Sequence, residues 1–151
     1  MTALIHLLAG VAIGHSIKNA PLVLVAALFS HYLLDRLPHI DPETFTRKDK
    51  PYTWLQLGSI FADTLATLLL AFMVFFTQKQ WTTLLIGGLS SLLPDLLTPL
   101  EKYHFMAPFR RLHELFHWNR RYARQWSWYV VGLLAPLMVA AASTLVLWRT
   151  L

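Results

Sequence analysis

The chain has 151 residues, of which 56% are hydrophobic and only 14% charged, where a soluble domain carries about 25% charge. That balance points to one integral membrane unit over residues 1–151 and excludes an ordinary water-soluble fold. There is no cysteine, so disulfides and thiolate metal sites are excluded and any metal must be held by histidine and carboxylate. The formal net charge of +5 is read as basic loops meeting anionic lipid and not as a nucleic-acid surface.

In chain order, the first expected helix runs from Thr2 to Ile17 and stops at Lys18-Asn19-Ala20-Pro21. With no basic residue before Lys18, it is read as a retained helix and not a cleaved leader. Pro21 suits the first turn of a second helix, which ends at Pro38 and gives way to a polar loop over 38–50. A third helix covers Tyr52 to Phe76 and a fourth Trp81 to Leu97. A second polar stretch, Thr98 to Arg124, holds a short amphipathic helix near Pro108 to Trp118, and a fifth long helix covers Trp126 to Trp148. The fold class expected is therefore all-α, a membrane bundle of about five helices. Trp54, Trp81, Trp126, Trp128 and Trp148 fall at helix ends, as interfacial aromatic residues do. The first two helices are short for a span of roughly 20 residues.

Lysine and arginine set the expected orientation. Arg36, Arg47, Lys48, Lys50, Lys102, Arg110, Arg111, Arg120, Arg121 and Arg124 share a face with the N-terminus, against Lys18, Lys79 and Arg149 on the other. The positive-inside rule then puts the N-terminus and long loops in the cytoplasm and the C-terminus outside. A faint repeat aligns Leu28–Asp35 with Gly88–Asp95, each with an acid near the same end of its helix.

An ionisable residue at membrane depth is costly, and so is a functional candidate. His6 is one turn into the first helix; His31 and Asp35 are four apart on the second, hence on one face; Asp63 lies in the third and Asp95 near the end of the fourth. With the topology above, all five share one cytoplasmic layer. His113 and His117 of the short helix can lie over it. His6, His31, Asp35, Asp95, His113 and His117 are thus the candidate metal ligands, for zinc, manganese or iron. The number of ligands would suit two ions. Glu114 and Asp63 are the candidate general bases, and Arg110 and Arg111 the candidate phosphate contacts. His15 is read as interfacial, His39 and Asp41 as solvated loop residues with a peripheral ligand role as the alternative, and His104 has no pattern around it.

His113-Glu114-Leu115-Phe116-His117 also matches H-E-x-x-H, in which the glutamate is a metalloprotease base. An intramembrane protease is therefore one alternative, although no carboxylate follows Glu114 to complete the ligand set. A non-enzymatic scaffold or subunit is another, since membrane histidines and acids also pair helices.

Ile5-His6 with Ala9-Gly10, Ser30-His31-Tyr32-Leu33-Leu34-Asp35 followed by Leu37-Pro38-His39, Leu93-Pro94-Asp95, and His113 with His117 resemble the membrane-bound metal-dependent hydrolases of bacteria and archaea. The resemblance runs from His6 to His117, and Ser-His-x-Leu-Leu-Asp is its most specific piece. That family is similar in its histidine and aspartate motifs to zinc-dependent phospholipase C. In the family the Pro-Asp segment and histidine pair often precede the Ser-His-Leu-Leu-Asp segment; here the order is reversed. The resemblance implies a cell-membrane hydrolase using a divalent metal, zinc first, on a phosphoester. Site depth adds the expectation of a lipid or lipid-linked substrate.

Overall fold

The computed structural model describes residues 2–39, 53–77, 81–116 and 126–148. These residues form an all-α bundle: α1 (Ala3–Ser16), α2 (Ala20–Asp35), α3 (Trp54–Thr77), α4 (Trp81–Leu97), the short α5 (Ala107–Phe116) and α6 (Trp126–Trp148). Two 3-10 turns, Thr98–Leu100 and His104–Met106, lead from α4 into α5.

Local chemistry explains the helix starts. The Asn19 side chain accepts the Leu22 N–H at 3.0 Å and caps α2, with Pro21 in the first turn, where a missing N–H costs nothing. Thr53 and Gln56 cap α3 reciprocally: Thr53 Oγ1 accepts the Gln56 N–H at 3.3 Å and Gln56 Oε1 accepts the Thr53 N–H at 2.7 Å. The first turn of α1 is capped from another helix, since the Asp63 carboxylate of α3 accepts the N–H groups of Ala3 at 2.9 Å and Leu4 at 3.3 Å. A carboxylate there satisfies orphan donors and meets the positive end of the helix dipole.

Among the described residues, three helices are long and apolar enough to cross a membrane, over Trp54–Met73, Trp81–Leu100 and Val130–Trp148. The five expected crossings are therefore met in length by three. With 14 and 16 residues, α1 and α2 measure about 21 and 24 Å at 1.5 Å per residue, short of a hydrocarbon core of about 30 Å.

The shortest of these, α1, is the centre of the bundle, packed against α2, α3, α4 and α6. Its seam with α4 is lined by glycine. A Cβ at Gly10 would collide with the Gly87 carbonyl and the Ser91 hydroxyl, and one at Gly14 would collide with the Thr83 carbonyl. Between apolar helices in lipid, close backbone approach is what packing can gain. Leu7, Val11 and Leu84 fill the same seam, bordered by Leu70, Ala71, Leu92 and Leu147. Large apolar side chains elsewhere face outward, among them Leu55, Phe61, Leu68, Phe72 and Met138. An apolar surface of that extent is compatible with a membrane protein.

Candidate metal centre

At the end of the bundle where α1 begins and α2 and α4 finish, polar side chains converge. His6, His31 and Asp35 have no solvent exposure at all. Asp35 is their hub: its Oδ1 accepts a hydrogen bond from His6 Nε2 at 3.1 Å, and its Oδ2 is 3.1 Å from His31 Nε2 and 3.7 Å from His113 Nε2. Asp95 brings Oδ1 to 3.7 Å from His31 Nε2 and keeps 34% of its side chain exposed, the open side of the cluster. The rings of His6 and His31 stack with centroids 4.1 Å apart.

Helix geometry accounts for the meeting. His31 and Asp35 sit one turn apart on α2, and the glycine seam draws α1 and α4 close enough for His6 and Asp95 to reach them. Pro94 inside α4 removes an N–H from the ladder and loosens the turn before it. The carbonyl of Ser91, in that turn, accepts a hydrogen bond from His31 Nδ1 at 2.7 Å. His113 comes from α5, whose position over α2 is held by Arg36 Nη1 donating to the Leu115 carbonyl at 3.1 Å and by Tyr32 against Phe116.

A carbonyl oxygen only accepts, so His31 Nδ1 carries the hydrogen and Nε2 is left to face Asp35 and Asp95. That Nε2 is buried and makes no hydrogen bond. A ring nitrogen set between carboxylate oxygens calls for a positive partner there, a proton or a metal ion. On His113 too the Nδ1 side is taken, donating to Glu101 Oε1 at 2.8 Å. One atom each of His31, Asp35, Asp95 and His113 lie within 4.8 Å of one another, so these four could hold a metal ion. Two imidazoles, each with its second nitrogen committed to an outer acceptor, are arranged as metal-ligating histidines usually are. His113, outside the long apolar helices, has its pKa pushed up to about 9, chiefly by the neighbouring Asp35 carboxylate, with Glu101 adding and burial opposing.

The remaining expected residues are placed as follows. His6 contacts Asp35 through α1 and is not one of the four. Asp63 is at the same end of the bundle but spends its carboxylate on the α1 N-terminus. Glu114 and Arg111 are exposed on α5, and Arg110 Nη1 is 3.5 Å from the Glu101 carbonyl. His117 lies outside the described residues, as does Asp41. His39, expected in solvent, is buried, 3% exposed, because the chain turns after α2 and its Nδ1 hydrogen-bonds the Leu37 carbonyl at 2.8 Å. Among the described residues there is one such four-residue group, where two ions had been expected.

Sequence reading missed two contributors. Ser91 acts through its carbonyl, which no side-chain motif marks. Glu101 sits in a polar connector, and only its spacing of twelve residues from His113, on a chain that must double back to cover the site, points to it.

An all-α bundle with a buried histidine–aspartate group is thus the class that fold and site define. In comparisons with known proteins, no family model, curated protein or solved structure matches the chain.

Proposed function

We propose that this protein is a membrane-embedded, metal-dependent hydrolase that cleaves a phosphoester in a lipid or lipid-linked substrate at the cytoplasmic membrane face. The observation that carries the reading is His31 Nε2, buried without a hydrogen bond and aimed at two carboxylates. His31, Asp35, Asp95 and His113 would hold the ion, and their nitrogen and oxygen donors suit zinc, or manganese or iron. The resemblance noted in the sequence adds support, since all four lie in the motifs that carry it. A divalent ion held there lowers the pKa of a bound water and polarises a phosphoryl oxygen.

The chain's own groups supply the rest. His6 holds Asp35 Oδ1, which leaves Oδ2 for the centre. The exposed side of Asp95 gives the route of entry. Arg110, three residues from His113 on α5, and the exposed Arg111 would offer positive charge to a phosphate. Of the two base candidates, Glu114 has an exposed carboxylate, whereas Asp63 is engaged by two backbone donors. The lipid preference follows from the apolar surface around the site.

The test is elemental analysis of detergent-purified protein, followed by hydrolysis assays on anionic phospholipid vesicles and on a soluble phosphodiester. Wild type should carry zinc and act on the vesicles, and His31→Ala should do neither. Turnover of the soluble ester alone would remove the lipid assignment. The His6–Asp35 hydrogen bond between α1 and α2 favours one other reading, a non-enzymatic scaffold; protein free of transition metal and indifferent to chelator would select it.

A further inference from the structure

Glu101 stands between the two 3-10 turns and belongs to no motif, yet it grips α5 at two points. Its Oε1 accepts the Nδ1–H of His113 at 2.8 Å, and the two side chains are only 16% and 8% exposed. Its backbone carbonyl lies 3.5 Å from Arg110 Nη1. Residues 110 and 113 are three apart on α5, so both grips fall on neighbouring parts of one face.

His113 is the one member of the four-residue group that comes from outside the apolar helices. His31 and Asp35 are fixed by α2, and Asp95 by α4. A neutral imidazole has two tautomers and two ring orientations, and only one combination turns the Nε2 lone pair toward Asp35 Oδ2. We propose that Glu101 is a positioning residue of the metal centre. It holds the hydrogen on Nδ1, so that Nε2 is the nitrogen that yields its proton to the ion, and it sets α5 over the open end of the bundle. The inference rests on reading the four-residue group as a metal centre. The Ser91 carbonyl gives His31 the same service, so each imidazole has an outer acceptor, and Glu101 is the one that a side-chain substitution can remove. Its negative charge also raises the basicity of the imidazole it holds.

The full-length protein, purified in detergent, is titrated with zinc against a chromogenic chelator, and with cobalt(II) for its visible spectrum. Glu101→Ala should weaken zinc binding about 10–100-fold, the usual effect of losing an outer partner, and should shift the cobalt bands. Glu101→Gln keeps an acceptor oxygen without the charge, so it should bind more tightly than Glu101→Ala and more weakly than wild type. A plain tie between the connector and α5 would lower thermal stability in both variants and leave zinc affinity and the cobalt spectrum as in wild type; that result overturns the proposal. Should Glu101→Ala fail to fold, Glu101→Gln decides alone: unchanged affinity sinks the positioning role and a measurable loss supports it. A wild-type protein that binds neither ion removes the metal-centre reading itself, a failure separate from that of Glu101.

Discussion

Helices α1 and α3 are both strongly apolar, yet they hold opposite places. The 14 residues of α1 are surrounded by four helices, while α3, with 24 residues, turns Leu55, Phe61, Leu68 and Phe72 outward. In water the more apolar helix would be the inner one. In lipid that rule lapses, because hydrocarbon accepts leucine as readily as a protein core does. What marks the inside here is the pair of features that lipid refuses or cannot use: ionisable side chains and glycines. His6, Gly10 and Gly14 lie along α1 at its helix contacts; the outward surface of α3 is mostly bulky and apolar, and its one glycine, Gly58, meets nothing.

That contrast can be broken most severely at the seam. Gly10→Leu should destabilise the bundle by ~3 kcal/mol or more, since the collision is with backbone. Gly58→Leu, on α3 with nothing within 4 Å of a built Cβ, should leave thermal unfolding in detergent near wild type. Equal effects at the two glycines would erase the distinction.

Next in size is the polar end. Asp35→Ala should lower zinc affinity more than about 100-fold, because a ligand counts for more than an outer partner. Leu69→Ala, on the exposed surface of α3, should leave zinc content as in wild type. Zinc per mole of purified protein measures both.

The proton sharpens the same comparison. His113 has its pKa raised from the usual 6.5 to about 9, so the metal-free protein keeps that ring protonated at neutral pH. Zinc has to displace the proton. Apparent zinc affinity should therefore fall about tenfold per pH unit as pH drops below about 9 and level off above it. In the metal-free protein, the contribution of the imidazolium to stability runs the other way: full below 6.5, lost as pH rises through about 9. Zinc titrations at several pH values would detect a flat profile, which would leave His113 outside the ligand set.

The smallest effect is expected at Asp63. Loss of its capping contact in Asp63→Ala should cost about 1 kcal/mol of stability, with zinc content intact. A variant with normal stability but no hydrolysis would return Asp63 to the role of base.

Much of this was legible in the residues. The helix boundaries followed from Pro21, Pro38 and the tryptophans, and the convergence of His6, His31, Asp35 and Asp95 at one end of the bundle was foreshadowed by their spacing along the helices. The cap made by Asp63 was hidden, because a carboxylate serving another helix's N-terminus has no local pattern. The central place of α1 was less hidden: Gly10-Val11-Ala12-Ile13-Gly14 is a close-approach motif of membrane helices, and Gly87-Gly88 is its counterpart on α4. His39 misled, because a polar residue after a proline reads as solvated whereas a two-residue turn buries it.

The hydrogen bond that fixes His31 ends on a peptide oxygen of α4. Exchanging Ser91 for alanine would remove a hydroxyl that merely donates to the Gly88 carbonyl and leave the acceptor in place. A survey of single substitutions would therefore score position 91 by size alone, through its crowding against Gly10, and would overlook that half of the orientation of His31 is written in the main chain. Only an alteration of the backbone itself, such as an ester in place of an amide, would reveal it.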